Sequence, residues 1–305
     1  MISRKTFCGM LLGLAAFAAT PLAAAPLTVK HASGETTING TPKKVVVFDL
    51  AALDTLDALG VDVAAVPTGG KPKYLARYND DRYPKVGTLF EPDLEAVNAL
   101  QPDLIIIGGR SQPKYAELAK LAPTIDLTPD NSAPLESVRN GVLQLGQIFG
   151  KEDRAKELVA EIDAGVAALK EKAQKVGKGL LILTVANRMS AYGPGSRFGM
   201  LHDVFGVPAA VPDLKIGRHG QPVTFEFIQQ ANPDWLFVID RDAALGKPDN
   251  ARKMLDNELV GQTTAWKKNQ VVYLDPANWY LIGAGAQAMK QNIDQLSKAF
   301  DAAGK

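Results

Sequence analysis

Three arginines, one histidine and one tyrosine occupy the places in this chain where side chains are best set to do chemistry. Arg110 and Arg241 hold equivalent positions in two segments, residues 92–110 and 223–241, that align without gaps. In each segment a helical stretch passes through a Pro-Asp pair (Pro102-Asp103, Pro233-Asp234) into a short apolar run that leads to the arginine. An apolar run unbroken by polar residues suits a strand buried on both faces of a parallel sheet. Each arginine is thereby expected beyond the carboxyl end of a strand. Arg197 lies in the glycine-rich stretch Gly193-Pro-Gly-Ser-Arg-Phe-Gly199. Any one of them reads as a surface residue. Three on loops of a near-neutral chain predict a local positive cup for an anion.

His219 stands in Lys215-Ile-Gly-Arg-His-Gly-Gln-Pro222, where two glycines and a proline make a loop, and an imidazole on a loop can meet a ligand. Arg218 adds a charge beside it. Trp279 and Tyr280 follow a predicted strand at 271–274, so they fall where open α/β sheets bind ligands. Buried aromatic packing accounts for that pair equally well. Of the three histidines, His202 sits in a helical stretch and reads as structural, and His31 lies near the start of the mature chain.

Motifs for catalysis and resident cofactors are missing. There is no phosphate loop ending in Gly-Lys-Ser/Thr, no nucleophile elbow, no paired-histidine zinc helix and no calcium loop. The 193–199 stretch lacks the dinucleotide spacing, and Pro194 stiffens the place where the backbone should wrap a pyrophosphate. Thirty-four basic residues against 33 acidic ones, a formal charge of +1, give no reason to expect nucleic acid or an acidic membrane surface as partner. The single cysteine, Cys8, excludes a disulfide scaffold and a Cys-rich zinc site.

The elements that must position these residues fit a chain of 305 residues with a globular composition, 46% apolar and 22% charged. Residues 1–25 read as an export signal: Arg4 and Lys5, an apolar stretch from Met10 to Ala19, and a small-residue processing site at Ala23-Ala24-Ala25. Its removal turns the charge from +1 to −1 and leaves no cysteine. A second echo supports duplication. Asp57-Ala-Leu-Gly-Val resembles Asp203-Val-Phe-Gly-Val, with Gly60 and Gly206 as helix-ending glycines.

Residues 26–150 are therefore expected to form one α/β lobe and 178–305 a second, with mostly parallel sheets. Strands are predicted at 45–48, 104–107, 180–184, 236–239 and 271–274, and a closing helix at 286–302. Residues 71–84 read as an excursion over the surface. Leu143, Leu145 and Ile148 mark one helix face, and Leu158, Ile162, Val166 and Leu169 mark another, with Gly150 between the two. The second helix, within 151–177, spans roughly 25 residues, or nearly 40 Å at about 1.5 Å per residue. It reads as a rigid strut between lobes, so large hinge closure is not expected.

The stretches Ala191-Tyr-Gly-Pro-Gly-Ser-Arg-Phe-Gly, Ile216-Gly-Arg-His-Gly, Val238-Ile-Asp-Arg and Leu274-Asp-Pro-Ala-Asn-Trp-Tyr-Leu resemble periplasmic ferric-siderophore-binding proteins, most nearly those that capture ferric catecholates for an ABC importer. The resemblance covers nearly the whole mature chain. It implies a class III periplasmic binding protein, two Rossmann-like lobes joined by a long helix, monomeric and not an enzyme. No intrinsic cofactor is implied, and Fe(III) arrives as the siderophore complex. By motif, His219 and Tyr280 correspond to residues that coordinate iron when the siderophore supplies two catecholates, and Arg110, Arg197 and Arg241 to arginines that oppose the complex's negative charge. Glu95 and Glu226 correspond to the glutamates that dock on an inner-membrane permease, which works with its ATPase. Their other reading is stabilisation of helix N-termini. A haem or corrinoid carrier of the same fold is the alternative cargo class, and a nucleotide-dependent enzyme is the reading from another class.

Overall fold

The computed structural model describes residues 26–217 and 219–303. The export signal expected at 1–25, and Arg218, lie outside the described residues. The chain begins with an antiparallel hairpin, β1 (Leu27–His31) and β2 (Gly34–Ile38). A parallel sheet follows in the order β3 (Val45–Val47), β4 (Leu104–Ile107), β5 (Thr124–Asp126). The second sheet runs β10-β9-β6-β7-β8, built from β6 (Gly179–Val185), β7 (Arg188–Tyr192), β8 (Gln221–Val223), β9 (Trp235–Asp240) and β10 (Val271–Tyr273). Its β10, β9 and β6 are parallel, while β7 and β8 are antiparallel to their neighbours. The α/β class and all five predicted strands are present. The sheets are mostly parallel as expected, with β7 and β8 adding an antiparallel edge to the second.

The duplicated segments do the same structural work twice. The helices Leu94–Leu100 and Phe225–Ala231 both end in a left-handed residue, Gln101 at φ 47° and Asn232 at φ 37°. After the proline, Asp103 accepts the backbone N–H groups of Lys43 and Lys44 at 2.8 and 2.9 Å, on the approach to β3. Asp234 accepts the N–H of Lys178 at 2.8 Å, on the approach to β6. Each Pro-Asp turn thus staples its own strand to the parallel neighbour. Val45 pairs with Leu104, and Gly179 with Trp235.

Two expectations are adjusted locally. Residues 71–84 lie at the surface with most side chains exposed, but they are anchored rather than free-running. A 3₁₀ stretch Lys73–Asn79 folds inward, and Leu75, Tyr78 and Tyr83 are buried in the core. Their polar composition is misleading because the hydroxyls are satisfied: Tyr78 accepts from Arg77, and Tyr83 donates to Asp62. On the helix Pro134–Ile148, Val138, Val142, Leu145 and Ile148 face the core while Leu143 is exposed.

The strut is the helix Glu152–Ala173, 22 residues or about 33 Å long, somewhat shorter than predicted. Leu158, Ile162, Val166 and Leu169 are its buried stripe, as their spacing requires. The closing helix Ala286–Ala303 lies against it, with Gly165 allowing close approach of Ile293 and with Lys172–Asp301 and Lys290–Glu161 pairs along the edge. One apolar cluster runs unbroken from Val45 and Leu104 of the first sheet, through the strut, to Phe237 and Ile239 of the second. Burial on this scale makes the two sheets and the strut one packed body.

Candidate functional site

Tyr280 is carried on a short turn, Ala277–Ile282, that follows β10. Asp275 opens it by accepting the N–H of Asn278 at 2.8 Å, and the Gly283 N–H closes it on the Asn278 carbonyl at 2.7 Å. That closing bond spans five residues. Such wide turns are rare and frequent at functional sites. Trp279 points into the core, edge-on to Phe205, so the buried-packing reading suits that residue. Tyr280 does not share it. Its ring stands half-buried at the wall of a hollow of about 350 Å³.

All three arginines converge on this tyrosine. Arg110 donates to the carbonyls of Tyr280 and Leu281, and Arg197 donates to the Tyr280 carbonyl at 2.9 Å. Arg241 donates through Nε to the Tyr280 hydroxyl at 3.0 Å. Their guanidinium carbons lie 5.6, 4.8 and 5.9 Å from the ring centroid. Burial alone raises a phenol's pKa. Here the Arg241 hydrogen bond and the three positive charges outweigh it and hold Tyr280 below the ordinary phenol value. Burial and the nearby Arg197 also draw Arg110 down, which is the electrostatic cost of clustering cations. Among the described residues no carboxylate forms an ion pair with any of the three. Asp49 eases the crowding, being close enough to Arg110 for its charge to be felt. A cluster of this kind is relieved by an anion.

The hollow draws on both halves of the chain. Asp49, Phe90, Arg110 and Thr128 line it on one side, and Arg197, His219 and Tyr280 on the other. Arg241 is not among the lining side chains and reaches the site through the Tyr280 hydroxyl. His219 is exposed on the loop before β8. That loop hangs on Gly220, at φ +69°, whose Cα lies so close to β7 that an added Cβ would be 2.8 Å from the Ala191 carbonyl. So the structure brings His219, Tyr280, Arg110 and Arg197 to one cavity, with Arg241 joined through Tyr280. Phe90, Phe198 and Asp49 are lining residues the sequence reading missed. Phe198 stands beside Arg197 in the glycine-rich stretch and Phe90 in a turn between Gly87 and Pro92, but neither pattern singles out a ring as part of a wall.

The glycine-rich loop explains why no nucleotide motif is present. Three of its N–H groups are already occupied. Gly195 donates to the carboxylate of Asp203 at 2.7 Å, Ser196 to the Gly193 carbonyl and Gly199 to that of Ser196. An acidic side chain thus sits where a phosphate loop would need its anion.

Glu95 and Glu226 fall outside the cavity. Each is exposed in the first turn of its helix, after N-caps Asp93 and Thr224 that accept from Ala96 and Phe227. A hydrogen bond from Thr224 holds Glu226 below the usual carboxylate range. Neither forms an ion pair among the described residues. His202 is structural, its Nδ1 lying 2.8 Å from the Val207 carbonyl.

Among the described residues no group of three or more His, Cys, Asp or Glu side chains could hold a metal ion, and no helix is long and apolar enough to cross a membrane. A family model described as periplasmic binding protein matches residues 45–277. The petrobactin-binding protein YclQ of Bacillus subtilis is 44% identical over 90% of this chain and 88% of its own length. Its crystal structure superposes with a TM-score of 0.89, covering 91% of this chain and 99% of that one. The ferric-anguibactin-binding protein FatB of Vibrio anguillarum is 36% identical, over 90% of this chain and 88% of its own. The periplasmic catecholate-siderophore binding protein VctP of Vibrio cholerae is 34% identical, with a TM-score of 0.86, covering 90% of this chain and all of that one.

Proposed function

The chain belongs to the periplasmic binding protein family, and on that footing we propose that it captures a ferric siderophore outside the cytoplasm and delivers it to an inner-membrane ABC permease driven by its ATPase. The observation that carries the reading is the meeting of His219 and Tyr280 on one hollow beside the Arg110, Arg197 and Arg241 cluster. Ferric iron is a hard cation that favours anionic oxygen, and a phenolate supplies it. Two catecholates provide four oxygens to a six-coordinate ion. The Tyr280 oxygen and a His219 nitrogen complete the shell, so a tetradentate bis-catecholate is the favoured cargo. Catecholate complexes are anionic, and Arg110 and Arg197 offset that charge at the cavity wall.

The same reading assigns the remaining parts. Residues 1–25 direct export to the periplasm and are removed. Residues 26–150 and 178–305 form the two lobes, with 151–177 as the joining helix. Glu95 and Glu226, one on each lobe, are the contacts to the permease. The protein works as a monomer.

The test is titration of purified protein lacking residues 1–25 with a ferric bis-catecholate and, separately, with a hexadentate tris-catecholate. Quenching of tryptophan fluorescence, to which Trp279 at the cavity wall contributes, and a new visible charge-transfer band are expected. The double variant His219→Ala/Tyr280→Phe is expected to lose at least tenfold more affinity for the tetradentate complex than for the hexadentate one. Equal losses exclude direct ligation. A Soret band on adding haem, without siderophore binding, would replace this reading by haem carriage.

A further inference from the structure

Large apolar side chains left in water are costly, and those that remain mark contact surfaces when they gather. Among the described residues four are strongly exposed: Phe90, Leu143, Ile216 and Leu245. One of these lines the hollow, and a second stands on the loop that carries His219. Phe90, 51% exposed, lines the hollow from the first lobe, and Ile216, 70% exposed, stands three residues before His219 on the second. Ile216 also packs near Gly195, on the loop that carries Arg197.

Phe90 is held out by design of its turn. Thr88 Oγ1 accepts the N–H groups of both Phe90 and Glu91, the Thr88 N–H donates to the Glu91 carbonyl, and Gly87 bridges to Pro92. Gly87 sits at φ +97°, where an added Cβ would come within 2.5 Å of the Asp93 nitrogen, so this tight closure admits only glycine. A rigid turn that presents an aromatic ring to a cavity is pre-organised for contact. Leu127, Pro129 and Pro134 extend the same side of the wall, while Arg197 and Tyr280 lie on the other. The hollow therefore has apolar and aromatic wall area beside its cationic groups, with Arg110 on the same side as Phe90.

We propose that Phe90 is a specificity-determining residue that covers the aryl faces of the bound chelate, so that the site selects aryl-bearing ferric complexes over hydroxycarboxylate complexes. The inference rests on the siderophore reading above and adds the residue that sets its ligand class. Arginines attract either kind of anion. An aryl chelate offers a broad apolar face for Phe90 to remove from water, whereas ferric citrate offers only isolated methylenes.

Phe90→Ala, Phe90→Leu and the wild-type protein are to be titrated with a ferric complex of a bis(2,3-dihydroxybenzoyl) diamine and with ferric dicitrate. Phe90→Ala is expected to weaken the bis-catecholate by about tenfold, roughly 1.4 kcal/mol, and to leave ferric citrate within about twofold. Phe90→Leu is expected to recover part of the loss on the bis-catecholate alone. Melting temperatures are expected to stay unchanged, because the ring is half in water. Equal weakening of both complexes, or unchanged bis-catecholate binding by Phe90→Ala, overturns this proposal while the siderophore reading stands. A wild-type protein that binds neither complex overturns both.

Discussion

Arg241 meets Tyr280 at the hydroxyl, whereas Arg110 and Arg197 hold its main-chain carbonyl. The consequence is a division of labour within one arginine cluster. Removing Arg241 takes away the hydrogen bond and one of the charges that favour the phenolate, while burial, which opposes it, is left unrelieved. Arg241→Met is expected to raise the ionisation pH of Tyr280, read as the near-ultraviolet phenolate absorbance that Tyr280→Phe abolishes. Arg110→Met is expected to shift it less, because its charge is the smallest of the contributions to Tyr280. If both variants titrate like wild type, the arginines do not govern the tyrosine. At this scale the sequence was informative in type and order but not in aim. Equivalent positions after β4 and β9 mark Arg110 and Arg241 as strand-end residues, yet nothing in the spacing tells that one lines the hollow and the other works through a phenol. Phe90 was passed over because a single exposed aromatic has no period.

The loop bearing His219 is the element on which a small change acts furthest. Gly220 combines a left-handed backbone with contact to the Ala191 carbonyl and the Tyr192 ring, so any side chain must push the loop off β7. Gly220→Ala is expected to weaken a tetradentate ferric bis-catecholate at least tenfold and a hexadentate complex by less than threefold, measured by fluorescence titration. Equal losses would mean that the loop shapes the cavity without placing a ligand. Long or continuous apolar patterns were legible throughout: the strut's stripe, the closing helix, and β4, β6 and β9. β1, β2, β5, β7 and β8 were missed. In β7, Arg188 and Ser190 interrupt the apolar residues, and β8 is only three residues with Pro222 in it, allowed there because β8 is an edge strand. The anchoring of residues 71–84 was hidden by tyrosines whose hydroxyls find partners that only tertiary structure supplies.

Across the whole molecule, the two halves are joined by more than the strut. Asp54, on the helix Leu50–Ala58 of the first lobe, is fully buried and accepts the Gln287 and Ala288 N–H groups at 2.7 and 3.0 Å, at the start of the closing helix. Thr55 accepts the Ala286 N–H beside it, and Gly285 leaves room for the carboxylate, since an added Cβ would be 2.6 Å from it. Tyr74 donates to Asp54 at 2.7 Å, and its hydroxyl lies 3.2 Å from the Asn278 side-chain oxygen, two residues before Tyr280. The first lobe thus caps a helix of the second and braces the turn that carries the tyrosine. Burial raises Asp54 to about 7 despite these donors. Since the folded state holds this proton up to about pH 7 and the unfolded chain releases it near pH 4, the folded state binds more protons across that window. Its stability must then fall as pH rises from about 4 to 7, by an amount on the order of 4 kcal/mol for this one group. Asp54→Asn cannot ionise. Whatever constant offset its amide introduces, the variant's stability relative to wild type is expected to climb between pH 4 and pH 8, read from urea unfolding at each pH. A difference that stays flat across that range would mean that Asp54 is ionised in the clasp at every pH tested, with the helix N-terminus and Tyr74 overcoming its burial.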